Sequence, residues 1–121
     1  MQVDDLNSTS IVNRIGWGER SVLFTGDTPE VNEQALLSSG VNLKADILKV
    51  AHQGSRTSSS EAFLRAVAPQ VAVIFVGANN SYGHPHSEVV KRLEEIVPTV
   101  LRTDQDGDVS FNLVNDQWVR R

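Results

Sequence analysis

The sequence predicts a layered α/β domain. Three observations carry this: short apolar runs alternate with helix-patterned segments, polar clusters follow several of the runs, and neither a repeat nor a low-complexity linker breaks the order. With 121 residues, 40% hydrophobic and 21% charged, the chain can build one core and is too short for two domains.

Residues 10–15 alternate partly in polarity and residues 21–25 are apolar, with the turn-rich Gly16-Trp17-Gly18-Glu19 between them, which predicts a β-hairpin. Thr28 is placed to cap a helix that begins at Pro29, carries Glu30 in its positive first turn, buries Ala35, Leu36 and Leu37, and stops at Gly40. Residues 45–51 form a short apolar run expected as a central strand. Ser58-Ser59-Ser60-Glu61 fits a capping box ahead of a helical face of Ala62, Phe63, Leu64 and Val67, which Pro69 ends. Residues 71–76 are apolar at every position, the pattern of a strand buried on both faces. Ser87 is expected to cap a helix with Val89, Val90, Leu93 and Ile96 on one face, and residues 97–101 then rejoin the sheet. Turn signals at Asp106-Gly107 and Asn115-Asp116 predict a terminal meander ending in an edge strand through Trp118.

The absence of cysteine excludes disulfide scaffolds, thiolate zinc sites and thiol catalysis. No apolar run approaches the roughly 18 to 20 residues that cross a bilayer, and the acidic start Met1-Gln2-Val3-Asp4-Asp5 is unlike a signal peptide, so the chain is expected to be soluble as it stands. A net charge of −4 argues against a broad phosphate-binding surface and makes any nucleic-acid contact local. Lys44, Lys49, His52, Arg56 and Arg65 are the densest basic neighbourhood, whose plain reading is solvated surface charge.

Polar clusters follow three predicted strands: Gly26-Asp27, His52-Gln53-Gly54-Ser55, and Tyr82-Gly83-His84-Pro85-His86. Ligands of open α/β sheets bind beyond the carboxyl ends of strands, so these loops can converge despite their separation in sequence. Asp27 offers a hard oxygen, and His52, His84 and His86 offer imidazole nitrogens suited to Zn, Mn or Fe. Each residue also has a plain reading, Asp27 as a turn former or cap and each histidine as an ordinary loop residue. Gly26, Gly54 and Gly83 allow a ligand close approach to the main chain. Ser55, Thr57 and Ser58, with the N-terminus of the next helix, can hydrogen-bond an anion or can simply form a serine-rich cap.

The ordered set of Asn7-Ser8-Thr9-Ser10-Ile11-Val12, Leu23-Phe24-Thr25-Gly26-Asp27, Lys49-Val50-Ala51-His52-Gln53-Gly54-Ser55 and Tyr82-Gly83-His84-Pro85-His86 resembles the metallo-β-lactamase-like domain of ComEC-type DNA internalisation (competence) proteins. Thr103-Asp104-Gln105-Asp106-Gly107 is similar to that family's ending, so the resemblance covers almost the whole chain. It implies the second half of a metallo-β-lactamase-like αββα sandwich, with a mixed sheet and helices on one face. It further implies phosphodiester hydrolysis on DNA during uptake, in a parent polytopic protein of the bacterial cell membrane with this domain on the outer side. By the family pattern, Asp27 and His84 are metal ligands for a divalent ion, Zn or Mn. His52 and Ser55 take catalytic roles at the phosphate.

Gln53 departs from the pattern, standing where the family's His-His-Gly-Ser loop carries its second histidine. The His-x-His-x-Asp-His cluster that supplies most ligands in the superfamily is absent from the sequence and is expected upstream of Met1, in an N-terminal half-domain. The chain alone is therefore expected to bind metal weakly, to be inactive, and to self-associate through the sheet face that its partner half would cover. The competing expectations are a non-catalytic module for nucleic acid or protein with a degenerate site, and a standalone hydrolase of small phosphoesters or lactams.

Overall fold

Five strands, β1 (Asn13–Trp17), β2 (Arg20–Phe24), β3 (Ile47–Lys49), β4 (Val71–Ile74) and β5 (Thr99–Arg102), form one mixed sheet in that spatial order in a computed structural model that describes residues 9–121. Asn7 and Ser8 of the first motif lie outside the described residues. β1 and β2 make the expected antiparallel hairpin, with Trp17 opposite Arg20 and Gly18 at φ 62° in the two-residue loop. β2 through β5 run parallel, and each parallel step needs a crossover. Helices α1 (Glu30–Ser39), α2 (Glu61–Val67) and α3 (Ser87–Ile96) supply the three crossovers, with α2 between the other two.

The helices cover one face. Leu23, Leu48 and Ala72 stand side by side across the sheet and, with Ile74, bury against Phe63, Leu64 and Val67 of α2 and Val89 and Leu93 of α3. This is the mixed sheet with helices on one face that the sequence predicts. The opposite face carries Val22, Ile47 and Val71 in one row and Phe24, Lys49 and Val73 in the next. The expectation that residues 71–76 are buried on both faces fails here, because Phe75 is 64% exposed while Ala72 and Ile74 are sealed. An all-apolar strand records two apolar faces, and within this chain only one of them is fully covered.

The terminal meander also differs from expectation. One helical turn, α4 (Thr103–Asp106), separates β5 from β6 (Phe111–Val114), which pairs only with β7 (Gln117–Arg120) in a separate two-stranded sheet. Asn115 and Asp116 take φ 49° and 59° in the two-residue loop, as their turn signal predicts. Phe111 and Trp118 of this hairpin, with Val22, Phe24, Ile47, Val73 and Phe75 of the sheet, line an open apolar groove of about 700 Å³.

Three predicted caps move. Thr28 does not cap α1, since its Oγ1 donates to Thr25 O at 2.6 Å. Ser60, not Ser58, caps α2 by accepting from Phe63 N at 3.3 Å, while Glu61 pairs with Arg65 at 2.9 Å. His86, not Ser87, occupies the cap position of α3. Gly40 ends α1 in the left-handed conformation, as predicted. Among the described residues no helix is long and apolar enough to cross a membrane.

Candidate functional site

Three strand-end loops are joined by backbone hydrogen bonds. His52 N donates to Gly26 O at 2.9 Å and His86 N donates to Gly54 O at 3.0 Å, so the middle loop ties the other two together. The Gly26-Asp27 turn is held further by Asp27 N donating to Ser10 Oγ at 3.3 Å and by Lys49 Nζ donating to Gly26 O at 3.4 Å.

The middle loop is one tight turn over Ala51–Gly54 in which His52, Gln53 and Gly54 all have positive φ, of 50°, 54° and 80°. Left-handed backbone at a residue with a Cβ costs roughly 1–2 kcal/mol, so His52 and Gln53 are held against a local preference. The surrounding bonds supply the restraint, including Ser55 N to His52 O at 2.9 Å. Gly54 cannot carry a side chain, because a Cβ would lie 2.6 Å from Pro85 Cβ. In the third loop the Asn80 side chain acts as a brace: its Oδ1 accepts from Tyr82 N at 3.2 Å and His84 N at 3.0 Å, and its Nδ2 donates to His84 O at 2.6 Å.

These loops bring Asp27, His52, Gln53, Tyr82 and His84 to the wall of one cavity of about 210 Å³. The His52 and His84 rings meet edge to face with centroids 5.4 Å apart, and Tyr82 stacks on His84 at 5.8 Å and 23°. His84 Nδ1 lies 3.4 Å from Gln53 Oε1, so the amide standing in the second histidine's place touches the late histidine. Burial lowers the His84 pKa below the ordinary imidazole value, the neighbouring His86 and His52 push the same way, and Asp27 opposes them.

His86 takes another role. Its ring contacts His84 at 4.9 Å, but its Nδ1 accepts from Arg56 N at 2.8 Å, which fastens the middle loop to the start of α3. The basic neighbourhood is divided: Arg56 pairs with Glu88 at 3.3 Å, Arg65 pairs with Glu61, and Lys49 lines the apolar groove. Burial lowers the Lys49 pKa, with Asp27 acting in the other direction.

Ser55 does not line the cavity. It is 3% exposed, and its Oγ lies 3.0 Å from Thr57 Oγ1, which in turn is 3.4 Å from His52 Nδ1. The expected anion position at the start of α2 is filled from within. Glu33, fully buried on α1, accepts from Ser59 N at 2.6 Å and Ser60 N at 2.9 Å. Ser58 Oγ donates to Thr28 O at 2.6 Å, so it too is committed internally. A glutamate on a helix carries no sequence sign of this, since its partners lie 26 and 27 residues away.

The donor chemistry of Asp27, His52 and His84 suits zinc or manganese, but their number and placement fall short of a site. Among the described residues no three His, Cys, Asp or Glu side chains are grouped to hold a metal ion.

The metallo-beta-lactamase superfamily model matches residues 2–78, a span that includes Asp27 and His52 and ends before His84. The chain is 39% identical over 109 residues to ComE operon protein 3 of Bacillus subtilis and 40% identical over 112 residues to competence protein ComA of Neisseria gonorrhoeae. It is also 40% identical over 111 residues to recombination protein 2 of Haemophilus influenzae. These matches cover 90%, 92% and 92% of the chain and only 14%, 16% and 14% of the respective relatives.

Proposed function

The chain belongs to the metallo-beta-lactamase superfamily, and from that premise we propose that it forms part of a metal-dependent phosphodiesterase acting on DNA during its uptake. The observation that carries this reading is the convergence of Asp27, His52 and His84, from three strand-end loops, on one cavity. Among the relatives, one is named a competence protein and another a recombination protein, names that fit a role with DNA.

In this reading Asp27 and His84 would hold a divalent ion together with further ligands that the described residues do not supply. Such an ion, when bound, polarises a phosphoryl oxygen and lowers the pKa of water. His52 contacts the phosphate. With Nδ1 beside Thr57 Oγ1, its Nε2 is the nitrogen left to meet a phosphoryl oxygen and to stabilise charge developing there. Ser55 acts one step back, as a positioning residue that holds Thr57. The left-handed turn fixes the backbone from which the His52 side chain projects before substrate arrives, which lowers the ordering cost of the reaction.

The chain alone offers two or three donors, so weak metal binding and no useful hydrolysis are expected of it. The test compares this chain with a longer form extended upstream, measuring metal content by mass spectrometry and hydrolysis of DNA with Zn, Mn and Mg. Metal and nuclease activity in the long form, both lost in D27A and H84A, are expected. The His52→Ala variant should lose turnover far more than metal; equal loss of both removes His52 from the phosphate. Gln53 favours a second reading, a module that binds nucleic acid or protein without hydrolysis, which a metal-free and inert long form would establish.

A further inference from the structure

Tyr82, the single tyrosine of the chain, is 76% exposed and sits on the rim of the cavity. A large aromatic ring left in water at a polar site is the feature here that neither metal binding nor packing accounts for. One face of the ring stacks on His84 at 5.8 Å and 23°, which sets the plane of the ring. The backbone beneath it is braced, since Tyr82 N donates to Asn80 Oδ1 and the same Asn80 side chain holds both the N-H and the carbonyl of His84. The ring thus projects from a braced backbone and rests against His84, with most of its surface open to solvent.

A flat, oriented aromatic face beside a phosphate site matches the chemistry of an unpaired nucleobase, which stacks on aromatic rings whatever its identity. The electrostatics favour the same partner over a duplex. The chain carries a net charge of −4 and Arg56, in the loop beside the cavity, is paired to Glu88, which disfavours tracking of two phosphate backbones there. Stacking on Tyr82 adds a contact that does not depend on charge.

We propose that Tyr82 is a base-stacking platform that selects single-stranded nucleic acid, receiving the base next to the phosphate held at His52. The proposal rests on the phosphodiesterase reading and deepens it by naming the substrate's strandedness and the residue that recognises it. The ring touches the substrate but takes no part in proton or phosphoryl transfer.

The experiment measures binding of a short fluorescein-labelled oligothymidylate by anisotropy at low ionic strength, with and without added zinc. The competitors are an abasic oligonucleotide of equal length and a duplex of the same length. The oligothymidylate should bind tighter than the abasic strand by roughly five- to 150-fold, the range expected for one base stacked on one aromatic side chain. Tyr82→Ala should erase that ratio while leaving abasic binding unchanged, and Tyr82→Phe should retain it. If Tyr82 served only to orient His84, the alanine variant would weaken both strands alike and the ratio would survive, which overturns the proposal. Equal binding of single strand and abasic strand by the unaltered protein also overturns it, while leaving the phosphodiesterase reading in place. No binding of any oligonucleotide in either condition overturns the stacking proposal, while metal content and DNA hydrolysis of the longer form decide the phosphodiesterase reading separately.

Discussion

Removing the Glu33 carboxylate should undo the loop that carries His52, although Glu33 itself does not line the cavity. Two backbone donors, the buried Ser59 N and the half-buried Ser60 N, have this carboxylate as their acceptor, at 2.6 and 2.9 Å. A buried donor left without a partner costs about 1–3 kcal/mol and a half-buried one less, so Glu33→Ala should destabilise the fold by roughly 1–5 kcal/mol before any lost packing is counted. That is a large share of the roughly 5–15 kcal/mol of a typical domain. The loop is fastened to α1 at two further points, Glu30 N to Thr57 O at 2.8 Å and Ser58 Oγ to Thr28 O, so its failure should spread to the helix start. Glu33→Gln keeps one acceptor oxygen and sets an amide N-H₂ against the other donor, so it should fall between wild type and alanine.

Urea unfolding measures the loss, and hydrogen exchange at Ser59 and Ser60 locates it. The pH dependence gives a second check. Burial raises the Glu33 pKa above its ordinary value, and the hydrogen bonds from Ser60 and Ser59 only partly oppose this. The native state therefore holds this proton at a pH where the unfolded chain has released it, and stability must fall as pH rises from the ordinary glutamate range through the raised native value. Wild type minus E33Q should show that downward slope, with the other carboxylates cancelling in the difference. A Glu33→Ala variant within about 0.5 kcal/mol of wild type, the range of an ordinary surface substitution, would refute the argument.

Two substitutions separate clash from backbone strain: Gly54→Ala puts a Cβ 2.6 Å from Pro85 at φ 80°, whereas Gly83→Ala meets nothing within 4 Å at φ 71°. By urea denaturation, G54A should cost about 2–5 kcal/mol and G83A only the roughly 1–2 kcal/mol of a left-handed residue; equal losses would show that the loops move apart freely. The open sheet face, where Phe24 and Phe75 are 42% and 64% exposed, should drive self-association of the chain, and F24K with F75K should release monomers. Sedimentation velocity checks this, and a monodisperse wild-type monomer contradicts it.

What the sequence made legible follows from which interactions are local. The strand runs, the Gly40 stop and the Asn115-Asp116 turn depend on residues adjacent in sequence; the stop and the turn fall where the pattern places them, and the strands fall within a few residues of it. The convergence of Asp27, His52 and His84 was legible for a related reason: loops that follow parallel strands gather at the sheet's carboxyl edge, although His84 stands ten residues beyond β4 and reaches the cavity only through its braced loop. The caps of α2 and α3 fall elsewhere because remote partners intervene, whereas Thr28 turns back on the nearby Thr25 O. Ser58-Ser59-Ser60-Glu61 satisfies a local rule, but Glu33 on another helix takes the Ser59 and Ser60 donors and moves the cap to Ser60.

The same distinction separates His84 from His86, two residues apart and identical in type. Both belong to the Tyr82-to-His86 cluster, and nothing in their spacing says which one faces the cavity. His86 lies at the cap position of α3, where its Nδ1 meets Arg56 N from 30 residues away, and that bond turns it into a brace between loops. His84, fixed by Asn80 and stacked on Tyr82, is left to line the cavity. Strand order thus determines where donors gather, whereas the choice among them is made by long-range hydrogen bonds to the loop backbone. It follows that Arg56 should tolerate changes to its side chain better than its backbone: proline there removes the N-H that holds His86, while alanine retains it. The contrast between those two variants isolates the brace from the charge of Arg56, which an ion pair with Glu88 alone would not predict.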